Sequence, residues 1–337
     1  MRMPRIKLEE RAFYHCISRV VDRQRLITAS ERERFIAIMR KVEGFCGVRV
    51  LTFAILSNHI HILTEVPERE ELTDEEFLDR LRYLYDEVVV NNIAIVLEMN
   101  RQGGNQAGAE LIRAPYLCRM YDLSHFMKTL KQKYTQSYNK LMGRKGTLWE
   151  ERFKSMVLEG EGNPMAIVGA YLELNPIRAG MIADPKDYRH TGYGAAMGGD
   201  TRAREGIAVI MRSLGIEGDW ATISSEYRKF IYMQGIEGGL TPDGKPIRAG
   251  FSPEEVQRVL DEDGKVHLHE ALRCRVRYLT DGVALGRREF VEKIFRKHRE
   301  KFGHKRRTGA RPMKHANWDG LCTLRDLRLQ VMTVPRE

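Results

Sequence analysis

Two histidines two positions apart, His59 and His61, lie inside the apolar run Leu51 to Glu65, LTFAILSNHIHILTE. Side chains alternate between the faces of a strand, so both imidazoles project together while Ile60 and Ile62 point the other way. Two neutral imidazoles on one face make half of a divalent-metal site, although the spacing names neither the metal nor the reaction. A hydrogen-bonded or solvated pair would give the same pattern. His15 adds a third imidazole, a candidate ligand or a structural residue. Phosphoryl chemistry at such a site also needs a nucleophile, and Tyr134 or Tyr138 could supply a phenol oxygen. Both stand at apolar-stripe positions of a helix, where core packing is the ordinary use of a tyrosine.

Periodicity defines the elements that would hold these groups. Val48, Val50, Leu51, Phe53 and Ile55 form one strand-like run and Ile60, Ile62 and Leu63 a second, separated by the turn-forming pair Ser57-Asn58. This predicts a hairpin whose second strand begins at the histidines. Arg11 to Val21 predicts an earlier strand with Phe13, His15 and Ile17 on one face. Between them, Ser30 is expected to cap a helix in which Phe35, Ile38, Met39, Val42 and Phe45 recur every three or four residues, ending at Gly44 to Gly47. A further helix, from about Leu123 to Leu141, carries Leu123, Phe126, Met127, Leu130, Tyr134, Tyr138 and Leu141 as one stripe. The apolar run after Arg152-Phe153-Lys154 predicts a fourth strand. Together these give an α+β, ferredoxin-like βαββαβ antiparallel sheet with helices on one face and the other free. Residues 67–115 have a helical pattern of their own and are expected as an insertion. The glycine-rich stretch Gly192 to Gly206 is expected to be a linker. It would divide a catalytic domain over 1–195 from a mostly helical basic region over 207–337.

The charge balance narrows the partners. The formal net charge is +10, and Arg287 to Lys314 alone holds twelve Lys/Arg against three acids. Such an excess points to polyanions, usually nucleic acid. Five scattered cysteines without a Cys-x-x-Cys pair argue against a disulfide framework or zinc ribbon, and the chain reads as reduced and cytoplasmic. No apolar stretch is long enough for a signal peptide or a membrane span.

Several stretches together resemble the HUH-type single-tyrosine transposases, and among them the REP-associated tyrosine transposases of bacteria. They are FYHCISR (Phe13 to Arg19), LSNHIHIL (Leu56 to Leu63), KYTQSYN (Lys133 to Asn139), GTLWEERFKS (Gly146 to Ser155) and YLELNPIRAG (Tyr171 to Gly180). The resemblance implies His59 and His61 as ligands of a divalent metal, Mg or Mn, and Tyr134 as nucleophile with Tyr138 as fallback. Insertion-sequence members of the family place a glutamine four residues after the tyrosine as third ligand. Here Gln136, Tyr138 and Asn139 are the candidates for that role. Lys131, Lys133, Arg152, Lys154, Arg306 and Arg307 are expected to contact DNA. The C-terminal stretch Val276 to Gly286 resembles a tail found on some members, with no activity attached to it.

The activity so implied is cutting and rejoining of single-stranded DNA at palindromic hairpins through a 5′-phosphotyrosine, without ATP, by a monomer or homodimer associated with the nucleoid. Two other classes fit the same residues. A non-catalytic nucleic-acid-binding module would stack bases on a ferredoxin-like sheet, and a metal-dependent hydrolase would use water in place of tyrosine.

Overall fold

A computed structural model describes residues 5–233, 277–314 and 318–325. Cys274 and Val276, with the rest of 234–276, lie outside the described residues.

The first half builds the expected core. β1 (Ala12–Arg19), α1 (Ala29–Cys46), β2 (Arg49–Ile55), β3 (His59–Val66), α5 (Leu123–Met142) and β4 (Lys154–Leu158) follow one another as βαββαβ, with three helices inserted, α2 (Asp74–Arg82), α3 (Glu87–Gln102) and α4 (Gln106–Leu117). β1 lies between β3 and β4 and is antiparallel to both, with Ile17 opposite His61 and His15 opposite Leu63. Thr28, not Ser30, caps α1, since its side chain accepts from the Glu31 N–H. Tyr14, Cys16, Phe53, Ile60 and Ile62 from one sheet face pack with Phe35, Met39 and Phe45 of α1 and Phe126, Leu130 and Tyr134 of α5. The insertion adds Phe77, Leu81, Val90 and Leu97 to this core.

The opposite sheet face is covered too, contrary to the expectation that it would be free. Phe13, Leu51, Ala54 and Leu63 pack there against α6 (Pro164–Glu173), α8 (Gly192–Met197), α9 (Thr201–Arg212) and α10 (Trp220–Met233). α6 is buried along its whole length. It therefore lacks the one-sided apolar stripe that marks a surface helix in sequence. The glycine-rich stretch read as a linker is folded into this layer. A Cβ at Gly206 would collide with the Leu51 backbone, so the glycine lets α9 approach β2.

The C-terminal region also joins the sheet. Beyond α7 (Asn175–Arg178), its described part forms α11 (Arg277–Asp281), β5 (Ala284–Gly286), α12 (Arg288–Lys297), β6 (Arg311–Pro312) and β7 (Cys322–Leu324). The seven strands among the described residues run β2-β3-β1-β4-β5-β7-β6, with β5 parallel to β4 and antiparallel to β7. At Gly282, between α11 and β5, a Cβ would stand 2.9 Å from both Met156 Sδ and Thr323 Oγ1. The missing side chain lets the chain between α11 and β5 lie close against β4 and β7. Val291, Ile294 and Phe295 bury the inner face of α12, and Arg287 is tied to Glu159 by its backbone N–H at 2.6 Å and its Nε at 2.7 Å.

Candidate active site

Strand alternation brings His59 and His61 to the face covered by α6, as the sequence predicts. The same rule places His15 of β1 beside His61, with stacked rings 5.2 Å apart. His15 Nδ1 lies 2.9 Å from the Leu279 carbonyl, and its Nε2 lies 3.0 Å from His61 Nδ1. Burial lowers the His15 pKa from 6.5 to about 4, and burial with the charges of His59, His15 and two arginines holds His61 well below 6.5. Both rings are therefore neutral at physiological pH. His59 is oriented by Asn58, whose Oδ1 is 2.6 Å from His59 Nδ1.

Opposite the histidines, α6 and α7 present Tyr171, Asn175 and Arg178. Leu174, between the two helices, keeps helical dihedrals, so Tyr171 and Asn175 stand one turn apart on one face. The Tyr171 ring is 6.1 Å from that of His61 and nearly perpendicular to it. Asn175 Nδ2 and Arg178 Nη2 both donate to the Tyr171 carbonyl, at 3.1 and 2.7 Å, and the Arg178 guanidinium covers the Tyr171 ring at 4.0 Å.

These groups line a cavity of about 590 Å³ with Arg19, Arg23, Arg152 and Lys154 around them, and Thr280 and Asp281 of α11 on its wall. Ser18 Oγ and Thr280 Oγ1, also on the wall, are buried with no hydrogen-bond partner among the described residues. Among the described residues no three His, Cys, Asp or Glu side chains cluster as a metal site. Two imidazoles and an amide oxygen nevertheless fit a divalent cation, because nitrogen and oxygen donors converge on a polar, water-accessible space. The residues that would hold it are His59, His61 and Asn175.

The expected nucleophile is elsewhere. Tyr134 is fully buried in the core beneath the other sheet face, where its hydroxyl donates to Glu31 Oε2 at 3.3 Å. Burial, then the Glu31 charge, pushes its phenol well above the ordinary value of 10. Tyr138 belongs to the same core, so neither ring reaches the histidines. The candidates for a third ligand fare alike. Gln136 lines a second cleft, with Lys131, Trp149 and Phe153, and Asn139 Nδ2 donates to the Gly146 carbonyl at 2.8 Å.

Of the expected DNA contacts, Arg152 and Lys154 reach the cavity, and Arg152 lines both clefts. Lys131 donates to the Glu151 carbonyl at 2.8 Å, and burial lowers its pKa to about 8. Lys133 is exposed on α5. Arg306 is spent on structure, donating to the Thr308 and Gly309 carbonyls at 2.9 and 2.8 Å beside Phe295 and Phe302. Arg307 is exposed.

Residues 9–99, which hold β1 to β3 and both cavity histidines, match the family model Y1_Tnp, "Transposase IS200 like". That segment is similar to IS200-like transposases, the class that its motifs resemble. Among solved structures, that of a REP-associated tyrosine transposase bound to a REP hairpin is similar, at 13% identity and a TM-score of 0.38, over 65% of this chain and 93% of that one. No curated protein matches the chain. Among the described residues, no helix is long and apolar enough to cross a membrane.

Proposed function

We propose that the chain is a metal-dependent enzyme that cuts and rejoins single-stranded DNA beside hairpins, with Tyr171 as the nucleophile. The observation that carries this reading is the meeting of His59, His61, Tyr171 and Asn175 in one cavity ringed by cations. The IS200-like segment supports DNA as the substrate.

The phenol oxygen of Tyr171 attacks phosphorus, the new O–P bond forms, and the bond from phosphorus to the 3′ oxygen breaks. The phenol gives up its proton, the 3′ oxygen takes one up, and the 5′ end stays on the protein as a phosphotyrosine. Rejoining is the reverse attack by a 3′ hydroxyl, and the retained phosphoester makes ATP unnecessary. A divalent metal, Mg or Mn, would supply Lewis acidity to the scissile phosphate. Arg178 holds the Tyr171 ring and backbone in place, while Arg19, Arg23, Arg152 and Lys154 counter the charge of the DNA strand.

Incubating the full chain with hairpin-bearing single strands and Mn²⁺ tests the reading. Wild type is expected to release a shortened strand, and His61→Ala to bind the same DNA without cutting it. Cleavage by the His61→Ala variant at the wild-type rate overturns the metal role of the pair. Wild-type binding with no cleavage under any divalent metal favours a non-catalytic nucleic-acid-binding module.

A further inference from the structure

His15 is buried against His61 but forms no part of the cavity wall. Its two ring nitrogens have partners of different kinds. The Leu279 carbonyl can only accept, so His15 Nδ1 carries the hydrogen. A neutral imidazole protonated there has its lone pair on Nε2, and that atom is 3.0 Å from His61 Nδ1. His61 Nδ1 must then donate, which leaves the His61 lone pair on Nε2. The Leu279 carbonyl is available for this because it lies in α11, whose last carbonyls have no partner within the helix.

We propose that His15 is a positioning residue which, with the Leu279 carbonyl of the C-terminal region, locks His61 in the Nδ1–H tautomer and presents Nε2 to a divalent cation. The proposal rests on the metal reading of His59 and His61 given above. It makes residues 277–281 part of the site, through a backbone atom that carries no sequence signal of its own. Outer-shell partners of this kind typically change metal affinity 10- to 100-fold.

The test uses the full chain with ¹⁵N-labelled histidine. In the metal-free wild type, the His61 ring nitrogens are expected to show hydrogen on Nδ1 and a bare Nε2. His15→Leu is expected to lose that pattern and to weaken Mn²⁺ binding about 10- to 100-fold. His15→Gln keeps an acceptor for His61 and is expected to restore both to within a few-fold. Hydrogen on His61 Nε2 in wild type overturns the proposal without any variant. So does a folded His15→Leu protein with unchanged tautomer and Mn²⁺ affinity. If the wild type takes up no Mn²⁺, the metal reading fails, while the ring-nitrogen pattern still decides whether the relay exists.

Discussion

Tyr171 and Tyr134 stand on opposite sides of one sheet, and their surroundings predict opposite outcomes for the same substitution. Tyr134→Phe removes a buried hydrogen bond to Glu31 and is expected to cost about 1–2 kcal/mol in chemical denaturation while leaving cleavage near wild type. Tyr171→Phe is expected to keep the fold and lose cleavage below detection. Loss of cleavage in Tyr134→Phe alone would reverse the assignment. The sequence held a signal for this choice: the residue four after Tyr134 is another tyrosine, whereas four after Tyr171 comes Asn175, an amide. The histidine pair was legible because strand alternation needs only local spacing. The contact of His15 with His61 was not, because it depends on a register between strands 46 residues apart. Glu173, two residues beyond Tyr171, gives a pH prediction. Burial raises its pKa from 4.5 to about 7, against the lowering effect of Thr52, Thr191, the Tyr193 backbone and Tyr227. Its folded-state pKa is the higher one, so the stability it contributes is complete below about 4.5 and is lost as pH rises through about 7. Glu173→Gln removes that dependence. The melting temperature of the variant should climb relative to wild type between pH 4.5 and 7 and hold a constant offset above that range. An offset independent of pH contradicts the assignment.

β1 to β4 and the helices α1 and α5 were readable because each is long enough to display its period. β5, β6 and β7 have three, two and three residues, too few to show alternation, so the sheet extension could not be read. The extension changes the expected effect of shortening the chain. From sequence, truncation before Arg287 should weaken hairpin binding and flatten its salt dependence. In the fold that cut removes α12, β6 and β7, leaves β5 paired with β4 alone, and uncovers apolar core such as Val157 and Ala284. Exposed edges and apolar surface promote association, so the truncated protein is expected to aggregate on size-exclusion chromatography. A monodisperse, folded product would show that the extension is dispensable. Whether the basic segment contacts DNA is better tested on the exposed Arg296 and Lys297 of α12. Reversing both charges is expected to preserve stability within about 0.5 kcal/mol. It should also flatten the slope of log affinity against log salt by about 0.9 for each duplex phosphate that these side chains cease to neutralise. An unchanged slope removes α12 from the DNA-binding surface.

In the proposed reading, charge is arranged so that a polyanion can be held over the cavity of His59, His61 and Tyr171. Arg287 to Lys314 carries a net charge close to that of the whole chain, and Arg152 joins the cleft beside α5 to the cavity of His59, His61 and Tyr171. Net charge fixes attraction but not chemistry, which is why composition pointed to nucleic acid without pointing to a mechanism. The proposed chemistry turns on which tyrosine would carry the DNA. Full-length protein can be incubated with a hairpin-bearing single strand and Mn²⁺, the covalent adduct trapped by denaturation, and the modified peptide located by mass spectrometry after digestion. The nucleotide is predicted on the phenol oxygen of Tyr171. An adduct on Tyr134 or Tyr138, or efficient cleavage with no adduct at all, would contradict the account.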